Sequence, residues 1–233
     1  MSSPEPVYVA CDVEGTLTTA AHWEALRDYL RQQGRERDFR RYFLRQLPAL
    51  LAYRLDLGDR QTFRERWVRG ILNLYAGQTV EEFAAPAAYT ADHLWRARRP
   101  VVLEALQAHH DAGATVIFAS GIFQPILDAL ADLAAAAGLQ RVLGLGTPLE
   151  IVEGRLTGRT ALPLSVGPLK AERLQALAGD ASFAAAYGDS AADLPMLRLS
   201  RRPVAVAPDD ALQAAAMEFG WLVLDDPTPA SVP

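Results

Sequence analysis

The run Asp12-Val13-Glu14-Gly15-Thr16-Leu17-Thr18 sets two carboxylates two residues apart, directly behind the apolar run Val7-Tyr8-Val9-Ala10-Cys11. Gly15 frees the backbone to turn and bring N–H groups near an anion. Thr16 and Thr18 add hydroxyl donors. This equipment suits covalent phosphoryl transfer, in which one carboxylate attacks and a neighbour moves the proton. Asp, Gly and Thr are also ordinary turn and cap residues, so the run alone leaves both readings open. Three further features add to it: Ser120 with Gly121, Lys170, and Gly188-Asp189-Ser190-Ala191-Ala192-Asp193. A phosphoryl group in transfer needs a nucleophile, donors for its oxygens, a cation and a divalent metal. Magnesium takes oxygen ligands, commonly one or two carboxylates plus substrate phosphate. Lys170 is the sole lysine among 22 arginines. A lysine is a compact point charge and an arginine a planar fork, so the choice is not neutral.

Elements must bring these residues to one crevice. Val7–Cys11 reads as a buried strand, and a carboxylate at its C-terminal end sits where open α/β sheets place ligands. From His22 to Ala76 apolar residues recur at helical spacing, as in Trp23, Leu26 and Leu30. Gly34, Gly58 and Gly77 punctuate this stretch, and Pro48 kinks or starts a helix within it. Thr79-Val80-Glu81-Glu82 reads as a capping box opening a helix towards Trp95. Strand and helix then alternate. A helix runs from Val101 to Ala112 behind Pro100, and a strand Thr115–Ala119 ends at Ser120-Gly121. A helix from Pro125 to Ala137 closes at Gly138, and Arg141–Leu143 is a weak strand. A hairpin turns at Glu153-Gly154, and Pro168 starts a helix through Leu177. Strands at 182–187, 203–207 and 221–224 follow, the last two separated by a helix from Asp210 to Phe219. The predicted fold class is α/β: a Rossmann-like doubly wound parallel sheet with an inserted α-helical cap after the first strand. Residues 1–19 and 100–226 form the core, 20–99 the cap and 227–233 a flexible tail. The cap sits over the first strand's carboxylates, where a lid is useful.

Composition sets bounds on function. The 233 residues can bury a sizeable core, and 50% hydrophobic with 22% charged residues is typical of a soluble globular protein. A single cysteine, Cys11, excludes an intramolecular disulfide and a cysteine-based zinc cluster. Met1–Pro6 has no basic start and no long apolar run, so no secretory signal is read there. No segment has the apolar length of a membrane span. A cytoplasmic protein is expected. The net charge of −5 is uneven: Ala20–Arg99 carries 15 Arg against 10 acids, the remainder 8 basic residues against 18 acids. An acidic body with a basic insert suits a metal-dependent enzyme with an anionic substrate, although solvated helix faces account for most of the arginines. Nucleic-acid binding is not expected, because the basic charge is interspersed with acids and no recognised module is present. The stretch from Arg40 to Arg54 mixes arginine, aromatics and leucine as interfacial helices do. Membrane-surface contact is the less favoured reading, since a helical cap needs its own apolar core.

In this order the motifs resemble the haloacid dehalogenase superfamily of phosphotransferases, and most of all its phosphoserine-phosphatase-like branch. The resemblance rests on Asp12-Val13-Glu14-Gly15-Thr16-Leu17-Thr18, on Ser120-Gly121 after a strand, on Lys170, and on Gly188-Asp189-Ser190-Ala191-Ala192-Asp193-Leu194-Pro195-Met196-Leu197. Leu149 to Gly158 and Pro208-Asp209 with Gly220-Trp221 also resemble that branch. The resemblance implies a Mg2+-dependent phosphatase acting on a phosphorylated small molecule. It makes Asp12 the nucleophile that forms an aspartyl-phosphate. Glu14 becomes the general acid/base, with its backbone carbonyl on the metal. Asp189 becomes a direct or water-bridged metal ligand, supported by Asp193. Ser120 and the Gly121 N–H hold phosphoryl oxygens, as do Gly15 and Thr16, while Lys170 neutralises them and steadies Asp12.

Two departures from the family pattern matter. The usual second carboxylate is Asp, and here it is Glu14, one methylene longer. A misplacement near ~1 Å can cost on the order of a hundredfold, so the surroundings must compensate. Transfer of the phosphoryl group to an alcohol instead of water remains an open alternative. Phosphoserine phosphatases also carry a Glu soon after the first motif, where this chain has Thr19-Ala20-Ala21-His22-Trp23, and an Asn where this chain has Ala192. Phosphoserine is therefore not the favoured substrate. His22, Trp23 and the cap arginines could build a different pocket, or Trp23 could be cap core.

Overall fold

The computed structural model describes residues 6–54 and 60–224. The strands are β1 (Val7–Cys11), β2 (Thr115–Phe123), β3 (Val142–Thr147), β4 (Leu149–Val152), β5 (Arg155–Thr160), β6 (Ser182–Gly188), β7 (Pro203–Val206) and β8 (Leu222–Leu224). Six of them form one parallel sheet in the order β3-β2-β1-β6-β7-β8. The chain winds one way from β1 through β2 to β3, then returns and winds the other way from β6. The reversal falls between β1 and β6, the point at which open α/β sheets leave a crevice beyond their C-terminal ends. Asp12 follows β1 and Asp189 follows β6, so the topology alone brings these two carboxylates together.

Between β1 and β2 lie α1 (His22–Gln32), α2 (Glu36–Arg54), α3 (Arg60–Asn73), α4 (Val80–Arg96) and α5 (Pro100–Asp111). Then come α6 (Gln124–Ala136), α7 (Gly167–Ala178), α8 (Leu194–Leu197) and α9 (Asp210–Phe219). Alternate residues of β1 face opposite ways. Val9 and Cys11 pack with Val102 and Leu106 of α5 and Leu127 of α6. Ala10 packs with Leu174 of α7, Leu197 of α8 and Leu212 of α9. The sheet is thus buried on both faces, as a parallel sheet requires. The inserted helices share a core of Leu26, Leu30, Ile71, Tyr75, Phe83 and Leu94. Within it the Tyr75 and Phe83 rings meet edge to face at 5.3 Å, and the Tyr75 hydroxyl donates to the Leu26 carbonyl at 2.7 Å.

Local chemistry sets most boundaries. Thr79 accepts from the Glu82 N–H at 3.1 Å while Glu82 accepts from the Thr79 N–H at 2.7 Å, the reciprocal cap expected at α4. Glu153 and Gly154 both adopt positive φ in the two-residue turn between β4 and β5. Pro48 lies inside α2 and starts no helix. Gly58 and the tail from Asp225 lie outside the described residues.

Two strands run further than sequence reading predicts. Beyond Ala119, β2 breaks register and pairs again at Phe123 with Thr147. Ser120 and Gly121 therefore lie in an irregular part of a strand and not past its end. β3 continues through Gly144 and Gly146 because α6 crosses it closely. A Cβ on Gly144 would lie 2.9 Å from the Leu127 backbone, and one on Gly146 2.7 Å from the Ile122 carbonyl oxygen. The hairpin β4–β5 leaves the main sheet and docks on the insert. Gly77 and Gln78 exchange backbone hydrogen bonds with Leu156 at 2.8 and 2.9 Å. Gly158 packs so tightly on Asn73 that a Cβ there would meet its side-chain oxygen at 2.8 Å.

Candidate active site

Lys170 joins the predicted residues into one network. It projects from α7, is buried, and its Nζ donates to Asp12 Oδ1 at 2.7 Å and to Asp193 Oδ1 at 2.6 Å. Burial disfavours the ammonium, but the two carboxylates outweigh burial and raise its pKa. Asp12 is buried too, and burial, reinforced by Asp193 and Asp189, pushes its carboxyl well up against the pull of Lys170. Among the described residues no donor is bonded to Asp12 Oδ2. One carboxylate oxygen is therefore anchored and the other is left for chemistry.

Asp193 has a different place. Its Oδ2 accepts from the N–H groups of Asp189 and Ser190 at 3.2 and 3.3 Å, and from the Ser190 hydroxyl at 3.3 Å. With Lys170 on Oδ1, both of its oxygens are engaged, so it fixes the loop after β6. Gly188 makes this possible, since a Cβ there would lie 2.5 Å from the Asp193 Cβ. Asp189 accepts from the Thr16 hydroxyl at 3.1 Å. Burial, followed by the neighbouring Asp193, pushes Asp189 up to about 6.

Gly15 has φ +89°, and a Cβ there would lie 2.2 Å from Asp189 Oδ2. Any side chain at position 15 would displace that carboxylate. Oxygens of Asp12, Asp189 and Asp193 lie within 4.8 Å of one another. Carboxylate oxygens, partly desolvated, are the donor type that a hard divalent cation takes. Asp12 and Asp189 could hold one. Glu14 stands outside this cluster of side-chain oxygens.

The Glu14 carboxylate turns towards the insert. Its Oε1 accepts from the His22 backbone N–H at 2.7 Å and lies 2.8 Å from His22 Nδ1. With Glu14 ionised, a form that only accepts, this contact is made by the tautomer with its proton on Nδ1. Ala21, the N-cap of α1, has no side chain to cap the helix. Glu14 supplies that acceptor from the other side of the crevice, at the positive end of the helix dipole. His22 is buried and meets Phe123 edge-on at 5.8 Å. Sequence reasoning placed His22 only among possible pocket residues. Its contact with the Glu14 carboxylate is a tertiary one without a local signature. Arg99 was not anticipated either: its Nε donates to the Gly15 carbonyl at 3.3 Å, and its N–H to the Leu17 carbonyl at 2.7 Å.

A cavity of about 730 Å3 opens on these groups, with Asp12, Glu14, Ser120, Gly121, Lys170 and Asp189 on its lining. Ser120 Oγ accepts from the Ile122 N–H at 3.4 Å, and its own proton is unused by any described residue. Gly121 lies close against Val166, which a Cβ would meet at 2.8 Å. Two predicted phosphate contacts are placed otherwise. The Thr16 hydroxyl is fully buried on Asp189, and the Gly15 N–H donates to the Thr18 carbonyl at 2.8 Å. Cys11 is fully buried, and burial pushes its thiol up, away from the reactive thiolate.

The model of the haloacid dehalogenase-like hydrolases matches residues 9–198, from within β1 to just beyond α8. The chain belongs to this family. Relatives include the inhibition of morphological differentiation protein of Streptomyces azureus, 36% identical over 52% of this chain and 43% of its own length. A phosphoserine phosphatase of Mycobacterium tuberculosis is 35% identical over 58% of this chain and 42% of its own. The match thus spans about half the length of such relatives or less. A histidinol-phosphatase of Neisseria meningitidis is 33% identical over 65% of this chain and 68% of its own. Among solved structures, a protein of unknown function from Bordetella pertussis superposes with TM-score 0.73 at 25% identity, covering 94% of this chain and 98% of that one. A phosphoserine phosphatase in apo form superposes with TM-score 0.58 at 17% identity, over 94% and 93%, a likeness of fold. No helix among the described residues is long and apolar enough to cross a membrane.

Proposed function

We propose that this chain is a Mg2+-dependent phosphatase that hydrolyses a small-molecule phosphate monoester through an aspartyl-phosphate on Asp12. The observation that carries the reading is the Asp12–Lys170–Asp193 bridge, buried at the C-terminal end of β1 beside Asp189 and facing the cavity. Asp12 Oδ2 attacks phosphorus as the bond to the leaving oxygen breaks. Lys170, the Ser120 hydroxyl and the Gly121 N–H meet charge on the phosphoryl oxygens. Glu14 in its acid form gives its proton to the leaving oxygen. As carboxylate it then takes a proton from water, whose oxygen attacks phosphorus and frees Asp12. Bound Mg2+, held by Asp12 and Asp189 with the Glu14 carbonyl, would supply further neutralisation of phosphoryl charge. His22 holds the Glu14 carboxylate against the crevice wall throughout.

The names of two relatives, a phosphoserine phosphatase and a histidinol-phosphatase, support phosphomonoester chemistry. The test is hydrolysis of p-nitrophenyl phosphate with and without Mg2+, and with Asp12→Asn. Turnover that needs Mg2+ and disappears in a folded Asp12→Asn protein is the expected result. Turnover retained by that variant overturns the assignment.

A further inference from the structure

The cavity has two unlike ends. One holds the phosphoryl chemistry. The other is a wall supplied by the insert: Trp23 from α1, Phe43 and Leu50 from α2, Trp67 and Val68 from α3. Trp67 meets Trp23 edge-on at 5.6 Å and Phe43 at 6.0 Å, with interplanar angles of 86° and 83°. Such edge-to-face packing makes a stiff aromatic surface. All three rings are only partly buried, so the wall keeps apolar area in hand for something else. Trp23 is therefore both part of the insert's packing and part of the cavity.

We propose that the substrate's alcohol is an apolar body, an alkyl chain or an aromatic ring, seated against this wall while its phosphate sits on Asp12. The inference rests on the phosphatase reading. The volume of about 730 Å3 lies in the range that encloses a whole small ligand and far exceeds a phosphoryl group. The rest of the lining includes the methyl groups of Ala20, Ala21 and Ala192, while Thr19 and Ser190, also on it, donate their hydroxyl protons to the Ala97 carbonyl and to Asp193. The carboxylates that line the cavity stand at the phosphoryl end. Lys170 holds Asp12 and Asp193, Thr16 holds Asp189 and His22 holds Glu14. Among the described residues, no arginine or acid of the insert lines the cavity. Among the described residues of the insert, an ammonium carried by the alcohol would thus lose its water against alanines and indoles without gaining a counter-ion.

The experiment is a series of n-alkyl phosphates from ethyl to decyl, kept below micelle concentrations, with 1-naphthyl phosphate, L-phosphoserine and histidinol phosphate alongside. Burial of each methylene should raise kcat/KM about threefold, through KM, until the wall is covered. Alkyl and naphthyl arms distinguish a chain from a ring. The two ammonium-bearing substrates should fall at least tenfold below butyl phosphate. Trp67→Ala should flatten the chain-length slope and Trp67→Phe should restore most of it. A flat series, a slope that survives both Trp67→Ala and Phe43→Ala, or preference for L-phosphoserine overturns the inference and leaves the phosphatase intact. No turnover of any monoester overturns both.

Discussion

Replacing Asp189 by Asn should make the metal-free protein more stable while disabling it. Burial and Asp193 raise the Asp189 carboxyl to about 6 from its ordinary 3.8. A pKa raised on folding means the folded chain holds this proton more tightly than the unfolded chain. The stability linked to it is complete below 3.8 and lost as pH rises through about 6. At neutral pH the wild type therefore carries a cost of roughly 3 kcal/mol, which partial solvent access reduces towards about 1.5. Asn removes the charge and keeps an oxygen for the Thr16 hydroxyl. For a chain of this size the gain is roughly 3–12 °C in Tm. Thermal melts in excess EDTA, read across pH, test it: the variant should lead near neutrality and the lead should close on acidification. Added Mg2+ should raise the wild-type Tm and move the variant little. A variant that melts at or below wild type in EDTA at neutral pH, or a lead that persists in acid, refutes the reasoning.

Two other substitutions probe the network. Lys170→Met strands Asp12 and Asp193 without their shared cation, which should cost about 3–5 kcal/mol in urea denaturation and remove more than ~100-fold of kcat; an unchanged denaturation midpoint would show that the bridge carries no such weight. His22→Ala should lower kcat by about 10- to 100-fold with little change in KM, because Glu14 loses its contact with the imidazole and keeps the backbone N–H of residue 22. His22→Gln, which can still donate to the carboxylate, should recover part of it and return the pH profile of kcat towards wild type; equal activity in all three proteins excludes His22 as a positioning residue.

Much of this molecule is written in short-range chemistry. The strand that ends just before Asp12, the Thr79–Glu82 box and the Glu153-Gly154 turn each follow from a few adjacent residues. Where the structure departs from such reading, a distant element intervenes. β3 reads as three residues because Gly144 and Gly146 lack strand propensity, yet α6 and the end of β2 leave no room for a Cβ at either. Thr16 reads as a phosphate donor from its place beside Gly15, but Asp189, 173 residues away in sequence, takes its hydroxyl. Glu14 reads as a lengthened acid/base. The structure shows what the extra length does: it carries the carboxylate to His22 and the first turn of α1. The insert's basic charge reads as suiting an anionic substrate, whereas the insert residues described on the cavity lining include indoles, a phenyl ring and aliphatics and no arginine.

In the proposed mechanism, Glu14 ties the reaction's proton to the first turn of α1, the helix whose Trp23 lines the cavity. The same carboxylate answers to two masters, and neither can drift alone. A change that tilts α1 to admit a new substrate also retunes the acid/base, and a change at Glu14 loosens the wall. Evolution of specificity in this lineage would then proceed through α2 and α3, which shape the pocket from the far side without touching the proton.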